Sequence, residues 1–290
     1  MTTGGPGSPG LPGEPGAAVP VCPRHPDRES YVRCQRCGRP TCPECQREAP
    51  VGVQCVDCVA QARREAPAVR TALGGRARGG RPVVTLTLIG ACVVMYVLQV
   101  VSQDAVTNLL AFYPPVAESQ PWRYLTSAFL HSPGGVLPLH LLFNMYVLYL
   151  TGPALEQLLG RGRFLALYLV SAFGGSVAFQ LVWALTGGPA SLAVGASGAV
   201  FGSFGALLVV QRRMQVPVGQ IGVVLAINLV LSFVLPGIAW EAHLGGLATG
   251  AAVAALLVRA PRRPALQVVG VAAVAAVWLV LAVVASLAGP

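Results

Sequence analysis

The stretch VVTLTLIGACVVMYVLQVVS (residues 83–102) is a run of predominantly apolar residues without a charged side chain. A helix needs about 20 such residues to cross the roughly 30 Å hydrocarbon core of a bilayer. Six further apolar runs follow, at about residues 137–152, 164–186, 196–211, 217–235, 240–258 and 265–287. The Gly- and Pro-rich N-terminus has no apolar core of a signal peptide, so the first span is interpreted as a permanent anchor. The sequence predicts an all-α polytopic membrane protein.

The composition agrees with this interpretation. Of 290 residues, 54% are hydrophobic and only 11% are charged, which is too few charges to cover a soluble domain of this size. The net charge of +9 comes from arginines that are spread among loops. Because they are not gathered on one face, a nucleic-acid partner is not expected.

The arginines alternate along the chain. They precede the first span and then follow the second, fourth and sixth spans, at Arg63, Arg64, Arg70, Arg76, Arg78 and Arg81, at Arg161 and Arg163, at Arg212 and Arg213, and at Arg259, Arg262 and Arg263. This is the positive-inside pattern. It predicts a cytoplasmic N-terminus and an extracytoplasmic C-terminus, with the cell membrane as the expected location.

Composition divides the chain into five segments. Residues 1–20 are a Gly/Pro-rich tail predicted to be disordered, 21–60 hold nearly all the cysteines, and 61–82 form a basic linker predicted to be flexible. Residues 83–258 form the membrane core, and a Pro-Arg break separates it from a seventh helix within 259–290. The sequence does not separate a six-helix core with an appended helix from seven equal helices.

The cysteine-rich segment contains four ligand pairs with two residues between the members of each pair. They are Cys22 and His25, Cys34 and Cys37, Cys42 and Cys45, and Cys55 and Cys58. One turn presents both members of such a pair to a tetrahedral ion, and eight ligands suffice for two structural zinc ions. A disulfide framework is the alternative, which the predicted location in the reducing cytoplasm disfavours.

The order CxxH, CxxC, CxxC, CxxC resembles the cross-braced zinc fingers of the B-box type, in which alternate pairs share an ion. The resemblance implies one site formed by Cys22, His25, Cys42 and Cys45 and another formed by Cys34, Cys37, Cys55 and Cys58, although spacing alone leaves the pairing open. Sites filled by four protein ligands are structural. The expected role is therefore that of a structural module or of one that binds a cytoplasmic protein partner.

Polar side chains within the spans are few and costly, and by default they mark function. Ser197 follows Gly195-Ala196 and opens the fourth span, where unpaired backbone N–H groups can stabilise an oxyanion. His243, beside Glu241, is the histidine of the later spans and a candidate base. His140 and Asn144 are spaced i, i+4, so both can donate from one helix face. A helix cap explains Ser197 alone but not this set.

Small residues line the fourth and sixth spans. They are Gly198, Gly202 and Gly205 on the fourth and Gly246, Gly250 and Ala254 on the sixth. Such residues let transmembrane helices approach closely. The two helices that carry Ser197 and His243 are therefore expected to pack against each other.

Across residues 83–258 the chain resembles the rhomboid family of intramembrane proteases. The matching residues are Trp122-Arg123, His140 to Asn144, Leu155-Glu156, Leu159-Gly160, Gly195 to Gly198, and Ala242-His243 with Gly246 and Gly250. The resemblance implies a six-helix rhomboid core plus the seventh helix. It also implies a serine endopeptidase, without a catalytic cofactor, that cuts transmembrane protein substrates in the lipid bilayer near its extracytoplasmic face.

The resemblance implies a role for each residue of the site. Ser197 would be the nucleophile and His243 the general base of a dyad without an acidic partner. The Ser197 backbone N–H with the side chains of His140 and Asn144 would form the oxyanion hole. Some members carry a tyrosine where this chain has Phe201, which keeps ring stacking on the histidine but loses a phenol. Catalytically silent relatives lack the serine or the histidine, and this chain has both.

Overall fold

In the computed structural model the chain forms two compact units, Met1–Pro67 and Ala68–Pro290. The structure describes residues 19–66, 71, 73, 75, 80–134 and 138–289. All but the last two residues of the tail predicted to be disordered lie outside these ranges. Much of the predicted flexible linker, 61–82, lies outside them as well.

The N-terminal unit contains four short strands and a helix. Strand β1 (Val21–Cys22) pairs antiparallel with β2 (His25–Glu29), and β3 (Gln46–Glu48) pairs antiparallel with β4 (Val53–Cys55), which leads into helix α1 (Val56–Glu65). The buried hydrophobic residues described in this unit are cysteines. Its fold therefore depends on the cysteine pairs rather than on an apolar core.

Helix α1 corrects one predicted boundary. The basic linker was expected to begin at residue 61, yet α1 continues to Glu65. The helix begins where the Cys55 thiol accepts a hydrogen bond from the backbone N–H of Cys58 at 3.4 Å. The first five residues of the predicted linker therefore belong to the cysteine-rich unit.

Every regular secondary-structure element described in the second unit is a helix. Two short helices, α3 (Ala105–Leu110) and α4 (Arg123–Thr126), lie in the loop between the first two long helices. The long helices are α2 (Val83–Val101), α5 (Leu139–Leu159), α6 (Arg161–Thr186), α7 (Ser197–Arg213), α8 (Gly219–Val234), α9 (Trp240–Arg259) and α10 (Pro264–Ala288). Among the described residues, α2, α6, α9 and α10 are long and apolar enough to cross a membrane, and α8 is a shorter apolar helix. The chain is an integral membrane protein with a mostly helical fold.

Helix α5 differs from the predicted second span, 137–152. It begins at Leu139, after Pro138, and continues through Pro153 to Leu159. The predicted span ended at Gly152, directly before a proline, which removes a helical N–H donor. The helix tolerates Pro153, and its last turn remains packed, with Leu155 and Leu159 fully buried.

The last turns of α5 also cap α2. The Glu156 carboxylate, 6% exposed, accepts from the backbone N–H groups of Val84 at 3.1 Å and Thr85 at 3.0 Å. Arg161 Nε lies 3.3 Å from the same carboxylate. An acid at the N-terminus of a helix satisfies unpaired N–H groups and favours the helix dipole. The charged Glu156 side chain is therefore accommodated within α5, although its low hydropathy predicts that the apolar span ends before it.

Helices α7 and α9 form the centre of the membrane unit. A Cβ atom on Gly246 would lie 2.0 Å from the Gly198 carbonyl oxygen, and one on Gly250 would lie 2.0 Å from that of Gly202. No side chain fits at such distances, so the two backbones touch. This confirms the predicted close approach of the two helices.

The loop before α7 is held by backbone hydrogen bonds. Phe112 and Ala193 pair through N–H···O bonds of 3.0 and 2.8 Å, and Gly195 N–H donates to the Ser127 carbonyl at 3.0 Å. Nearby, Arg123 is 6% exposed and donates to the carbonyl oxygens of Ala111 and Asn108, each at 2.6 Å. These bonds fix the turn that leads into Ser197.

The seventh helix, α10, packs against α6 and α9. Gln180 Nε2 on α6 donates to Ser286 Oγ at 3.0 Å. Near the other end, Gln267 Nε2 donates to the Leu257 carbonyl at 3.0 Å, and its Oε1 accepts from Arg163 Nε at 2.7 Å. Both ends of α10 are thus joined to the helices beside it by buried amide side chains.

Candidate active site and metal centres

Three helices bring their first turns to the same site. Ser197 is the first residue of α7, while His140 and His243 lie in the first turns of α5 and α9. A Cβ atom at Gly195 would lie 3.0 Å from His140 Nε2 and 3.4 Å from Ser197 Oγ. Both side chains therefore face the space above the Gly195 Cα. Gly195 has φ of +138°, which favours glycine on conformational grounds as well.

His140 is fixed as a hydrogen-bond donor. Its Nδ1 accepts from the backbone N–H of Ser132 at 3.1 Å, and a backbone N–H can only donate. The neutral ring therefore carries its proton on Nε2, the atom that faces Gly195 and Ser197. This is the tautomer that an oxyanion donor requires.

His243 is held on two sides. Its ring stacks on Phe201 with a centroid separation of 4.1 Å and an interplanar angle of 10°. Its Nδ1 lies 2.6 Å from Ser232 Oγ of α8. The side chain is 7% exposed. The stacking predicted for Phe201 is confirmed.

Ser197 and His243 occupy neighbouring positions across the α7–α9 contact. A Cβ atom at Gly198 would lie 3.4 Å from the carbonyl oxygen of Ala242. In the described structure the Ser197 hydroxyl and the His243 ring do not form a hydrogen bond. Such bonds are often long without substrate and tighten in the reacting complex. The structure therefore places the two residues on adjoining helices without a direct hydrogen bond between their side chains.

Asn144 lies one turn deeper and is 4% exposed. Its Nδ2 donates to the carbonyl of His140 at 2.8 Å, along its own helix. The amide has a second N–H for another acceptor. The structure thus brings His140 against Ser197 directly, whereas the described contacts of Asn144 are with α5.

Two site neighbours were not identified from the sequence. Ser232 lies inside the fifth span, where a polar residue is itself a signal of function, but its contact with His243 depends on the rotation of α8. His131 is fully buried, and its ring lies 5.2 Å from that of His140. Neither ring nitrogen of His131 has a hydrogen-bond partner among the described residues.

The cysteine-rich unit contains two groups of potential metal ligands. The first consists of Cys22, His25, Cys42 and Cys45, and the second of Cys34, Cys37, Cys55 and Cys58. In each group the ligand atoms lie within 4.8 Å of one another. The groups are the two that the B-box resemblance implies. Each could hold one metal ion.

The first group has an oriented histidine. His25 Nδ1 lies 3.2 Å from Cys42 Sγ and 3.4 Å from Cys45 Sγ, so Nδ1 faces the other ligands. His25 Nε2 lies 3.9 Å from the Glu44 carboxylate. Arg28 binds the same carboxylate at 2.6 Å and holds the pKa of Glu44 below its usual value. A carboxylate behind a ligating histidine is a common way of fixing the ring.

The thiols of this group differ in acidity. Backbone N–H groups, that of Cys42 first, lower the pKa of Cys22 to about 6. Desolvation raises the pKa of Cys45 to about 11, and the sulfurs of Cys42 and Cys22 add to this shift. Several sulfurs this close repel one another as thiolates, which a divalent cation between them would relieve. The residues present therefore suit a cation.

The membrane unit is similar to a known protein family. A family profile described as "Rhomboid domain" matches residues 118–260. Rhomboid protease GluP of Bacillus subtilis (strain 168) is 35% identical over 191 residues, which cover 62% of this chain and 36% of GluP. The proposed rhomboid protease YdcA of the same organism is 36% identical over 153 residues, 51% of this chain and 73% of YdcA. Rhomboid protease AarA of Providencia stuartii is 26% identical over 63% of this chain and 75% of AarA.

The extent of the similarity differs among relatives. The matched region of this chain spans 36% of GluP and also 36% of the RHOMBOID-like protein 4 of Arabidopsis thaliana. It spans most of YdcA, and the identity there is well above chance for a region of that length. The chain belongs to the rhomboid family.

Proposed function

We propose that this protein is an intramembrane serine endopeptidase that cuts transmembrane segments of other membrane proteins. One observation carries the proposal. The Ser197 hydroxyl and His140 Nε2 face the same space above Gly195, at the first turn of α7, and His243 lies on the adjoining helix. A nucleophile, an oxyanion donor and a base are therefore grouped at one site.

The arrangement supports acyl transfer in two steps. Ser197 Oγ attacks the scissile carbonyl carbon while His243 Nε2 takes the hydroxyl proton. The negative charge that forms on the carbonyl oxygen is stabilised by the Ser197 backbone N–H and by His140 Nε2–H. His243 then returns its proton to the leaving amine nitrogen. Water, activated by the same ring, hydrolyses the acyl-enzyme and restores Ser197.

The proposed cut lies near the extracytoplasmic face of the membrane. Ser197, His140 and His243 lie at the ends of their helices opposite to the arginine-bearing ends of α7 and α9. With arginines inside, the N-terminus is cytoplasmic and the site opens toward the outer leaflet of the cell membrane. Reporter fusions at both termini measure this orientation, and a cytoplasmic C-terminus would contradict it.

The metal in the N-terminal unit is proposed to be zinc, one ion in each group of four ligands. Thiolate and imidazole ligands in closed groups of four are typical of structural zinc. Bound there, zinc would hold the strands and α1 together, and it has no part in peptide hydrolysis. The unit is then a module for a cytoplasmic protein partner.

A serine-directed fluorophosphonate and a single-span protein substrate test the proposal. Ser197→Ala is expected to abolish both labelling and cleavage, and His243→Ala to lower cleavage almost as much, since an unactivated hydroxyl is a poor nucleophile. The double variant should be little worse than either, because the two residues act as one unit.

Ser203→Ala is the matched control, because this buried hydroxyl donates to its own helix at the Ala199 carbonyl, 3.1 Å away. It should be labelled and cleave normally. Cleavage of the substrate by purified, folded Ser197→Ala would overturn the serine-protease assignment.

A further inference from the structure

We propose that Ser232 on α8 is a positioning residue that holds His243 in the one neutral tautomer able to act as a base. The inference rests on the proposed protease function and adds a third group to the serine and histidine. It is carried by hydrogen-bond geometry around the Ser232 hydroxyl. The hydroxyl has two polar neighbours, His243 Nδ1 at 2.6 Å and the Asn228 carbonyl oxygen at 2.7 Å.

The direction of each bond follows from the number of protons. A serine hydroxyl has one proton to donate and two lone pairs to accept with. The Asn228 carbonyl can only accept, so the hydroxyl proton goes there. Ser232 Oγ is then left as an acceptor, and His243 must place its proton on Nδ1. Nε2 is consequently the unprotonated atom of the neutral ring.

An unprotonated Nε2 is what the proposed reaction requires, because that atom takes the proton of the Ser197 hydroxyl. Were the hydroxyl turned to donate to Nδ1, the ring proton would sit on Nε2, and the ring could not accept from Ser197. The third group of a catalytic triad performs this same task when it fixes the tautomer of the histidine. Here an uncharged hydroxyl performs it inside a membrane, where a carboxylate would be expensive to bury.

Ser232 also limits a motion that the other contacts allow. The stack on Phe201 fixes the plane of the His243 ring, with 10° between the rings, but a half-turn about the Cβ–Cγ bond keeps that plane and exchanges Nδ1 with Cδ2. The hydrogen bond between Nδ1 and Ser232 Oγ favours one of these two ring orientations. The backbone contact between Gly246 and Gly198 sets the separation of the helices. Together these contacts define separation, plane and rotation.

The burial pattern of α8 agrees with this role. Only Leu225 and Ser232 are buried among the described residues of this 16-residue helix. They are seven residues apart, on one face. The inward position brings the Ser232 hydroxyl to His243 as well as to the carbonyl of its own helix.

The tautomer can be observed directly in the whole protein. The chain has four histidines, so ¹⁵N-histidine labelling gives a simple spectrum, and His243→Gln assigns the His243 signals by their loss. We expect wild type to show a protonated Nδ1 and an unprotonated Nε2. Ser232→Ala should show a mixture of tautomers for His243. A protonated Nε2 in the wild-type protein would overturn the proposal.

Kinetics supply the second arm. Removing a hydrogen-bond partner of a buried group typically costs enough free energy to slow turnover about 10- to 100-fold. We expect Ser232→Ala to lower kcat by this factor and to change KM little. Ser232→Thr keeps the hydroxyl and should recover most of the rate. Ser203→Ala, which also removes a buried hydroxyl bonded to its own helix, should leave the rate unchanged.

The outcomes separate the two claims. Full kcat in Ser232→Ala, with Ser197→Ala inactive, would refute the positioning role and leave the protease intact. Equal losses in Ser232→Ala and Ser232→Thr, with unaltered His243 signals, would show a packing role and refute the proposal as well. Cleavage that persists in Ser197→Ala would instead refute the protease.

Discussion

Two of the helices that pack against α9, α7 and α8, hold it in different ways. Against α7 it packs backbone to backbone, and 11 of the 17 residues of α7 are buried. Against α8 it is joined through the bond between His243 and Ser232, and α8 has two buried residues among its described positions. The separation of Ser197 and His243 is thus set by helix packing, whereas the contact that selects the tautomer of the His243 ring is a single polar one, with Ser232.

The largest effect should come from a substitution at the close contact between α7 and α9. Gly250→Leu places a Cβ atom 2.0 Å from the Gly202 carbonyl, a backbone atom that cannot turn away. Overpacking of this kind costs about 3 kcal/mol or more, so we expect loss of both the native fold and cleavage. Thermal unfolding in detergent and substrate cleavage measure the two losses.

The matched control for that substitution lies on the loosely packed side. Gly222→Leu in α8 meets nothing within 4 Å of its Cβ atom, and leucine favours helix more than glycine does. The melting temperature and activity of this variant should match wild type. Equal melting temperatures and activities for the two leucine variants would contradict the claim that α7 packs more closely against α9 than α8 does.

An intermediate effect should come from the donor on α5. His140→Ala removes the Nε2–H group that faces Ser197, and loss of one oxyanion donor typically lowers turnover about 10²- to 10³-fold. Asn144 is proposed as a further oxyanion donor through its second amide N–H. Asn144→Ala should therefore lower turnover as well, by less, because its other N–H already bonds to the His140 carbonyl. Steady-state cleavage measures both effects.

Fluorophosphonate labelling should separate chemistry from folding in these two variants. A folded His140→Ala protein that is still labelled at Ser197, but turns over slowly, fits the oxyanion role. Wild-type turnover in the folded double variant would contradict it. Loss of the His140 donor is thus expected to lower the rate without disturbing the α7–α9 contact.

The smallest effect on cleavage should follow metal removal. The full-length protein should contain about two zinc ions, and a chelator should remove them and unfold the N-terminal unit, whose described hydrophobic core is made of cysteines. Cleavage of a transmembrane substrate should change less than about twofold, because every residue of the proposed chemistry belongs to the membrane unit.

Metal analysis, protease sensitivity of residues 21–65 and substrate cleavage measure these three outcomes. Supplementing with zinc should restore resistance to proteolysis. If cleavage were lost with the metal and restored by zinc, the N-terminal unit would be required for cleavage, and this prediction would be wrong.

Much of the architecture follows from patterns that a sequence displays. The long apolar runs predict the membrane helices because hydrocarbon excludes other structures. Paired CxxC and CxxH spacings predict the eight metal ligands, whereas their division into two groups was implied by the B-box resemblance. Glycines four residues apart predict the α7–α9 contact. Helix α5 was the least well predicted, because Glu156 becomes acceptable in a helix only when α2 and Arg161 satisfy its carboxylate.

The residues of the candidate site could be predicted from the sequence, but the tautomers of its histidines could not. Motifs identified Ser197, His243 and His140, yet the tautomer of each ring depends on what meets its Nδ1. For His140 that partner is a loop N–H at Ser132, and for His243 it is the hydroxyl of Ser232. Such contacts depend on loop geometry and on the rotation of α8, which spacing and hydropathy do not specify.

The amide contacts of α10 bear on how far the membrane unit can be shortened. Gln180 Nε2 and the Leu257 carbonyl each find a partner on this last helix, at Ser286 and Gln267. A chain cut after residue 258 would leave both groups without these partners, and a polar atom that stays unsatisfied away from water costs several kcal/mol. The helix that looks separable in sequence therefore completes the hydrogen bonding of its neighbours, and a shortened protease of this type would need either α10 or other partners for these two groups.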